Sequence, residues 1–192
     1  MSKARLEAFS DGVIAIIITI MVLELRPPAG FEIADLKEMR PDLAAYILSF
    51  VILGIYWNNH HVLVGAMRRV TGAVLWANLH LLFWLSLMPF ATAWMGRNPH
   101  RPTPIAIYGC VQFLSAVAYT ILQMTIIAAD GHGSRLAQAV GNDLKGRMSL
   151  ASYALAIVLA FANYWFSYAL FVFVALVWLI PDRRISSRAA TD

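Results

Sequence analysis

The chain has 192 residues, of which 60% are hydrophobic and only 14% charged, with a formal net charge of +4. A soluble domain is about 45–50% apolar, so this composition excludes an ordinary soluble fold and indicates an integral membrane protein. The basic residues lie between long apolar runs, where they set membrane orientation, and so they do not indicate nucleic-acid binding. The single cysteine, Cys110, excludes an intramolecular disulfide.

Each of six apolar stretches has close to the roughly 20 residues that a membrane-spanning helix needs. Pro41 favours a helix start at the second stretch, because proline is tolerated in the first helical turn. The fifth and sixth are short and meet at a tight junction near Asn163. A single all-α domain over residues 1–192 is predicted, with spans at 4–25, 41–66, 73–95, 104–128, 148–163 and 166–180.

The basic residues in the connections predict the orientation of these spans, because cytoplasmic loops carry an excess of lysine and arginine. With a cytoplasmic N-terminus, ten of these residues fall on the cytoplasmic side and five on the other, which together make the 15 of the chain. Both termini are therefore expected in the cytoplasm.

The first span carries an acid, Asp11, about 10 Å from its cytoplasmic end at 1.5 Å per residue. A carboxylate costs roughly 2.5–3.5 kcal/mol at the centre of a membrane helix, so we expect Asp11 to pair with a histidine or with an Asn or Trp N–H. The second span descends and the third rises, which brings their polar residues to the same depth. The predicted polar layer contains Ser10, Asp11, Trp57, Asn58, Asn59, His60, His61, Asn78 and His80.

Three roles are open for this layer. It can join helices, since polar side chains inside a membrane bundle pair with one another. It can act as a proton relay, because histidine titrates near neutral pH. It can hold a metal or a haem, but the adjacent His60 and His61 point about 100° apart on a helix, and HxxxH or ExxH spacing is missing. No resident metal or cofactor is therefore predicted.

The first span also carries an apolar stripe, on a different face from Asp11. Asp11 points roughly 140° away from Ile16 at 100° per residue. From periodicity alone, the stripe can face lipid, the core or copies of itself. The stripe contains Arg5, Phe9, Gly12, Ile16, Ile20 and Leu23, with Thr19 on its flank.

Short patterns in the first three spans carry a resemblance to a known family. They are Arg5-x-x-x-Phe9-Ser10-Asp11 followed by Ile16 and Thr19, then Trp57-x-x-His60-His61, then Asn78-Leu79 with Pro89-Phe90 downstream. Together with six spans, these patterns resemble the transmembrane protein 175 family of potassium channels. The last three spans match that family mainly in number and hydropathy.

The resemblance implies a potassium-permeable cation channel that lacks the TVGYG carbonyl filter. It implies a bacterial single-repeat member that assembles as a homotetramer, with the first helix of each subunit lining the pore. Ile16 would form the narrowest ring, Ile20 and Leu23 would extend it, and Thr19 would lie beside it. The interhelical polar network would comprise Arg5, Ser10, Asp11, Trp57, His60, His61 and Asn78.

An isoleucine ring can gate a pore by emptying of water. Potassium holds its hydration shell less tightly than sodium does, so a narrow apolar ring can favour potassium without supplying a ligand. At the outer end, four copies of Glu24 could concentrate cations, and Arg26 could cancel that effect.

We therefore expect a channel and not an enzyme, because Walker, nucleophile-elbow and metalloprotease motifs are missing. Its partners would be further copies of itself, the lipid bilayer, and potassium with other monovalent cations. The chain length is typical of a prokaryotic protein of the inner membrane. Three alternatives stay open: a proton-coupled transporter or proton leak through Asp11 and His60/His61, a haem protein using His60 or His61 with His80, and an assembly factor without flux.

Overall fold

The computed structural model describes residues 1–131, 133–141 and 143–179, and the regular structure in these ranges is entirely helical. A short 3-10 helix, Ile33–Lys37, precedes the second α-helix. The α-helices in these ranges are α1 (Lys3–Leu23), α2 (Arg40–Ala66), α3 (Gly72–Ser86), α4 (Met88–Arg97), α5 (Pro102–Asp130), α6 (Arg135–Val140), α7 (Leu144–Ala162) and α8 (Tyr164–Leu179).

Five helical stretches of the described chain are long and apolar enough to cross a membrane. They are α1, α2, the combined stretch Gly72–Arg97, α5 and α7. The helix α8 is also strongly apolar, but it has 16 described residues. The predicted all-helical membrane fold is confirmed, whereas six spans and cytoplasmic termini stay predictions. The sixth predicted span ends at residue 180, which lies outside the described residues together with the rest of the C-terminus.

The third predicted span, 73–95, corresponds to the apolar stretch Gly72–Arg97, but it is not one continuous helix. The structure divides it into α3 and α4, which meet at Leu87. Pro89 explains the division, because proline has no N–H and cannot donate to the carbonyl four residues before it. The segment between α5 and α7 also contains the short helix α6, which was not predicted from the sequence.

The helix α5 packs against α3, α4, α7 and α8, whereas α1 lies at the side of the bundle. The main packing partners of α1 are α2, α3 and α4. At another contact, between α2 and α4, the backbones approach closely at Gly96. A Cβ atom there would lie 2.6 Å from Asp42 Oδ1 and 2.9 Å from Asp42 Cα, so a larger residue would force the two helices apart.

Candidate functional site: the uncovered face of α1 and its polar anchor

The helix α1 has one face in the bundle and one face that the protomer leaves uncovered. Its buried residues recur every three or four positions and pack against neighbouring helices. On another face, Ile16, Ile20 and Leu23 are 58%, 43% and 79% exposed. Residues at this spacing share one side of a helix, so they form a continuous apolar stripe. The buried residues of α1 are Leu6, Ser10, Ile14, Ile17 and Met21.

Thr19 lies exposed beside this stripe. Its Oγ1 donates a hydrogen bond to the carbonyl of Ile16 at 2.9 Å, so the hydroxyl is satisfied within α1. The position matches the expectation of a threonine next to the stripe. Its proximity to a pore stays a prediction.

Three fully buried polar side chains join α1, α2 and α3. The Nε2 atom of His60 lies 2.7 Å from Asn78 Oδ1, and Asn78 Nδ2 donates to Ser10 Oγ at 2.9 Å. Ser10 Oγ in turn donates to the carbonyl of Leu6 at 2.9 Å. Since an amide oxygen only accepts, this geometry assigns the proton of His60 to Nε2. We call Ser10, His60 and Asn78 the buried triad.

The buried triad fixes the rotation of α1 in the bundle. Ser10 and Ile16 are six residues apart, so they point about 120° from each other. When Ser10 is held inside by Asn78, Ile16 must therefore lie toward the uncovered face. The polar contact and the apolar stripe are in this way two consequences of one helix orientation.

A second polar group lies nearer the surface, between α1 and α2. Trp57 Nε1 donates to Asp11 Oδ1 at 3.0 Å, and the Trp57 ring stacks on His61 with 6.3 Å between ring centroids. His61 Nδ1 is 2.9 Å from Glu7 Oε1. Asp11 is therefore paired, as a carboxylate at this depth requires. Glu7 was missed in the sequence, although it lies one helical turn before Asp11 and so shares its face.

Arg5 of the implied interhelical network, and the other members of the predicted polar layer, do not join these two polar groups. The Arg5 side chain is exposed, and its guanidinium has no hydrogen bond or ion pair within the described part of the chain. His80 is exposed and accepts a hydrogen bond from Trp84 Nε1 at 2.9 Å, within its own helix. Asn59 bonds the carbonyl of Ile55 in its own helix. Asn58 is also exposed.

At the C-terminal end of α1, Glu24 pairs with Arg97 of α4. Arg97 Nη2 lies 2.9 Å from Glu24 Oε2 and 3.1 Å from the backbone carbonyl of the same residue. Arg97 was not predicted from the sequence as the partner of Glu24, because α4 packs against α1 although it is distant along the chain. The effect of Arg26 on the charge of Glu24 stays a prediction.

The ion pair closes one end of a groove between α1 and α4. The groove has a volume of about 740 Å³ and is open to the outside of the protomer. Ile16 and Ile20 line one wall, and Phe90 and Trp94 line the other. The groove and the stripe are therefore one continuous apolar surface.

A second buried polar cluster joins α2, α4 and α5. Thr92 Oγ1 donates to Ser49 Oγ at 2.7 Å, and Ser49 Oγ lies 3.0 Å from Tyr108 Oη. Gln112 Nε2 donates to the same Tyr108 oxygen at 2.9 Å. This cluster was not predicted from the sequence. The available signal was the position of these four polar residues within apolar spans, where each needs a partner.

Comparisons with known proteins give the family of the chain. Residues 5–89 match the family described as "Endosomal/lysosomal potassium channel TMEM175". A potassium channel of Chryseobacterium sp. (strain P1-3) is 51% identical over 185 residues, which cover 96% of each chain. The endosomal/lysosomal proton channel TMEM175 of Bos taurus is 30% identical over 180 residues, or 84% of this chain and 38% of the cattle protein.

The fold is similar to a solved structure. The crystal structure of a lysosomal potassium-selective channel TMEM175 homolog from Chamaesiphon minutus superposes with a TM-score of 0.83. The match covers 94% of this chain and 97% of that chain, with 26% sequence identity. The helical arrangement is therefore shared over most of the chain, although the sequence identity is only 26%.

Proposed function

The chain belongs to the TMEM175 family, and we propose that it forms a potassium-permeable cation channel in which α1 of four copies lines one pore. The observation that carries this proposal is the uncovered stripe of Ile16, Ile20 and Leu23. We place the channel in the inner membrane of a bacterium, with both termini in the cytoplasm.

Polar groups around the stripe favour assembly over a lipid-facing position. Asp11 is only partly buried, and Trp57 and His61 are exposed in the single protomer. Arg5, on the stripe itself, has an exposed side chain. In an isolated protomer the deeper of these groups would lie against hydrocarbon, at a cost of several kcal/mol for a charge. Other subunits or a water-filled pore would remove that cost.

Four copies around an axis would turn the stripe into rings of side chains. One helix cannot enclose water, so a pore from α1 needs closed rotational symmetry. Ile16 would form the main constriction, Ile20 and Leu23 would lengthen it, and Thr19 would lie beside it. Such a ring blocks ions when it empties of water. When it widens, it favours the ion that is easier to dehydrate, which is potassium over sodium.

Flux measurements in liposomes test the pore assignment. We expect Ile16→Asn to wet the constriction, raise potassium and sodium flux, and lower the ratio between them. Val22→Asn is the matched control, because Val22 is also exposed on α1 but points about 120° from Ile16. Equal flux in wild type and Ile16→Asn, or an equal increase in Val22→Asn, would contradict the assignment.

A proton route is the second candidate. It is favoured by the row of Glu7, His61, Trp57 and Asp11 at the surface of the protomer, and by a relative that is named a proton channel. His60 is a weaker member of such a route, because its Nε2 atom is held by Asn78. Proton flux that survives Ile16→Asn and is lost in Asp11→Asn would favour this route over the pore. The reverse pattern would exclude it.

A further inference from the structure

The contact between Arg97 and Glu24 lies at the end of the proposed pore helix. Glu24 is the C-cap of α1, one position after Leu23 of the stripe. Its carboxylate and its carbonyl both accept from the same guanidinium nitrogen of Arg97. The Glu24 side chain is 43% exposed and the Arg97 side chain 38% exposed, so the pair is in contact with solvent or with neighbouring groups at the mouth of the proposed pore.

This contact does two things at once. It gives the C-terminal end of α1, which carries partial negative charge, a cationic partner. It also cancels the charge of a carboxylate that would otherwise repeat four times around the axis. An exposed ion pair contributes little to stability, so its main effect in this position is on the electrostatic potential.

We propose that Arg97 sets the cation concentration at the pore mouth by neutralising a ring of Glu24 carboxylates. The inference rests on the proposed function, because the ring exists only if α1 surrounds an axis. Arg97 is a positioning residue here, since it acts on permeant cations through Glu24 and through the end of α1.

The size of the effect follows from Coulomb's law and salt screening. For four carboxylates on the order of 10 Å from the ion path, the local cation concentration rises about five- to tenfold at ~10 mM salt. At ~1 M salt the Debye length falls to about 3 Å, and the increase falls below about 1.5-fold. A real effect of Arg97 must therefore disappear as the salt concentration rises.

The effect of Arg97 is tested by the single-channel conductance of the full chain in planar bilayers, measured in ~10 mM and in ~1 M KCl. Arg97→Gln should raise the conductance several-fold at low salt and by less than about 1.5-fold at high salt. Glu24→Gln leaves Arg97 unpaired and should lower the low-salt conductance. The double variant Arg97→Gln/Glu24→Gln should return to wild type. Arg101→Gln is the matched control, because it removes an exposed arginine at the same end of the bundle.

Three results would overturn the proposal. They are an unchanged low-salt conductance in Arg97→Gln, an increase that persists in the double variant, and an equal increase in Arg101→Gln. If Arg97→Gln fails to assemble, two other variants decide. Glu24→Gln should lower the low-salt conductance, and the reversed pair Arg97→Glu/Glu24→Arg should keep the wild-type conductance. A wild-type protein without potassium current would instead refute the proposed function. A current that responds to Ile16→Asn but not to Arg97→Gln would refute this inference alone.

Discussion

Replacing Asn78 by leucine removes the centre of the buried triad without changing the number of non-hydrogen side-chain atoms. Asn78 is fully buried and forms two contacts between helices, one with His60 of α2 and one with Ser10 of α1. In the variant, both ring nitrogens of His60 are left without a partner, because Nδ1 already has none among the described residues.

The expected loss of stability has two contributions. Hydrogen bonds between membrane helices contribute about 0.6 kcal/mol each on average, so two of them contribute about 1 kcal/mol. A buried polar group that loses its partner costs about 1–3 kcal/mol more. The free energy of unfolding should therefore fall by about 2–4 kcal/mol, which is about 5–15 °C in Tm for a protein of this size.

The measurement is the temperature at which the detergent-solubilised protein loses its folded peak in size-exclusion chromatography. Asn59→Leu is the matched control, because the Asn59 side chain bonds a carbonyl of its own helix and is only half-buried. Its Tm should stay within about 3 °C of wild type. If Asn78→Leu is as stable as Asn59→Leu, the buried triad does not hold α1 as described.

Two further predictions concern the packing around the site. Gly96→Ala should lower the free energy of unfolding by about 1–3 kcal/mol, because the added Cβ would collide with Asp42. In the control Gly54→Ala the added Cβ meets nothing within 4 Å, so the free energy of unfolding should rise by about 0.5–1 kcal/mol. Equal Tm shifts in the two variants would contradict the close approach of α2 and α4. Asp130 accepts a hydrogen bond from the backbone N–H of Arg68 at 2.8 Å, so Asp130→Ala should speed tryptic cleavage after Arg68 about tenfold. An unchanged cleavage rate would show that this hydrogen bond does not hold the connection between α2 and α3.

The orientation of α1 is the part of the site that the sequence predicted best. A helix advances 100° per residue, so the separation of Ile16 from Asp11 follows from their numbers alone. Polar groups in a membrane must find partners, which is why Ser10, His60 and Asn78 could be placed together in advance. The functional roles of these residues stay predictions, although the family was identified from the same patterns.

Depth along the helix axis was a poor guide to which side a residue faces. His80 lies only two residues after Asn78 and was placed in the same layer for that reason. Two residues correspond to 200° of rotation, so His80 lies on nearly the opposite side of α3, where it contacts Trp84.

Contacts between distant segments could not be predicted, because they depend on which helices become neighbours. Arg97 is 73 residues from Glu24, and Asp130 is 62 residues from Arg68. Hydropathy indicates the apolar segments, and the basic residues of the connections indicate their direction, but neither gives the order of the helices in the bundle. The break at Leu87 is different, since Pro89 was visible in the sequence and was a sufficient reason to expect it.

The proposed pore requires that Ile16 lies on a water-filled path between subunits and not against lipid. The most direct measurement is potassium flux through Ile16→Cys, with Cys110 replaced by serine, before and after a membrane-impermeant thiol reagent. We expect the reagent to block flux through Ile16→Cys and to leave Val22→Cys unaffected. Unchanged flux, with labelling of Ile16→Cys only by a lipid-soluble maleimide, would contradict the proposed position of Ile16 in the pore.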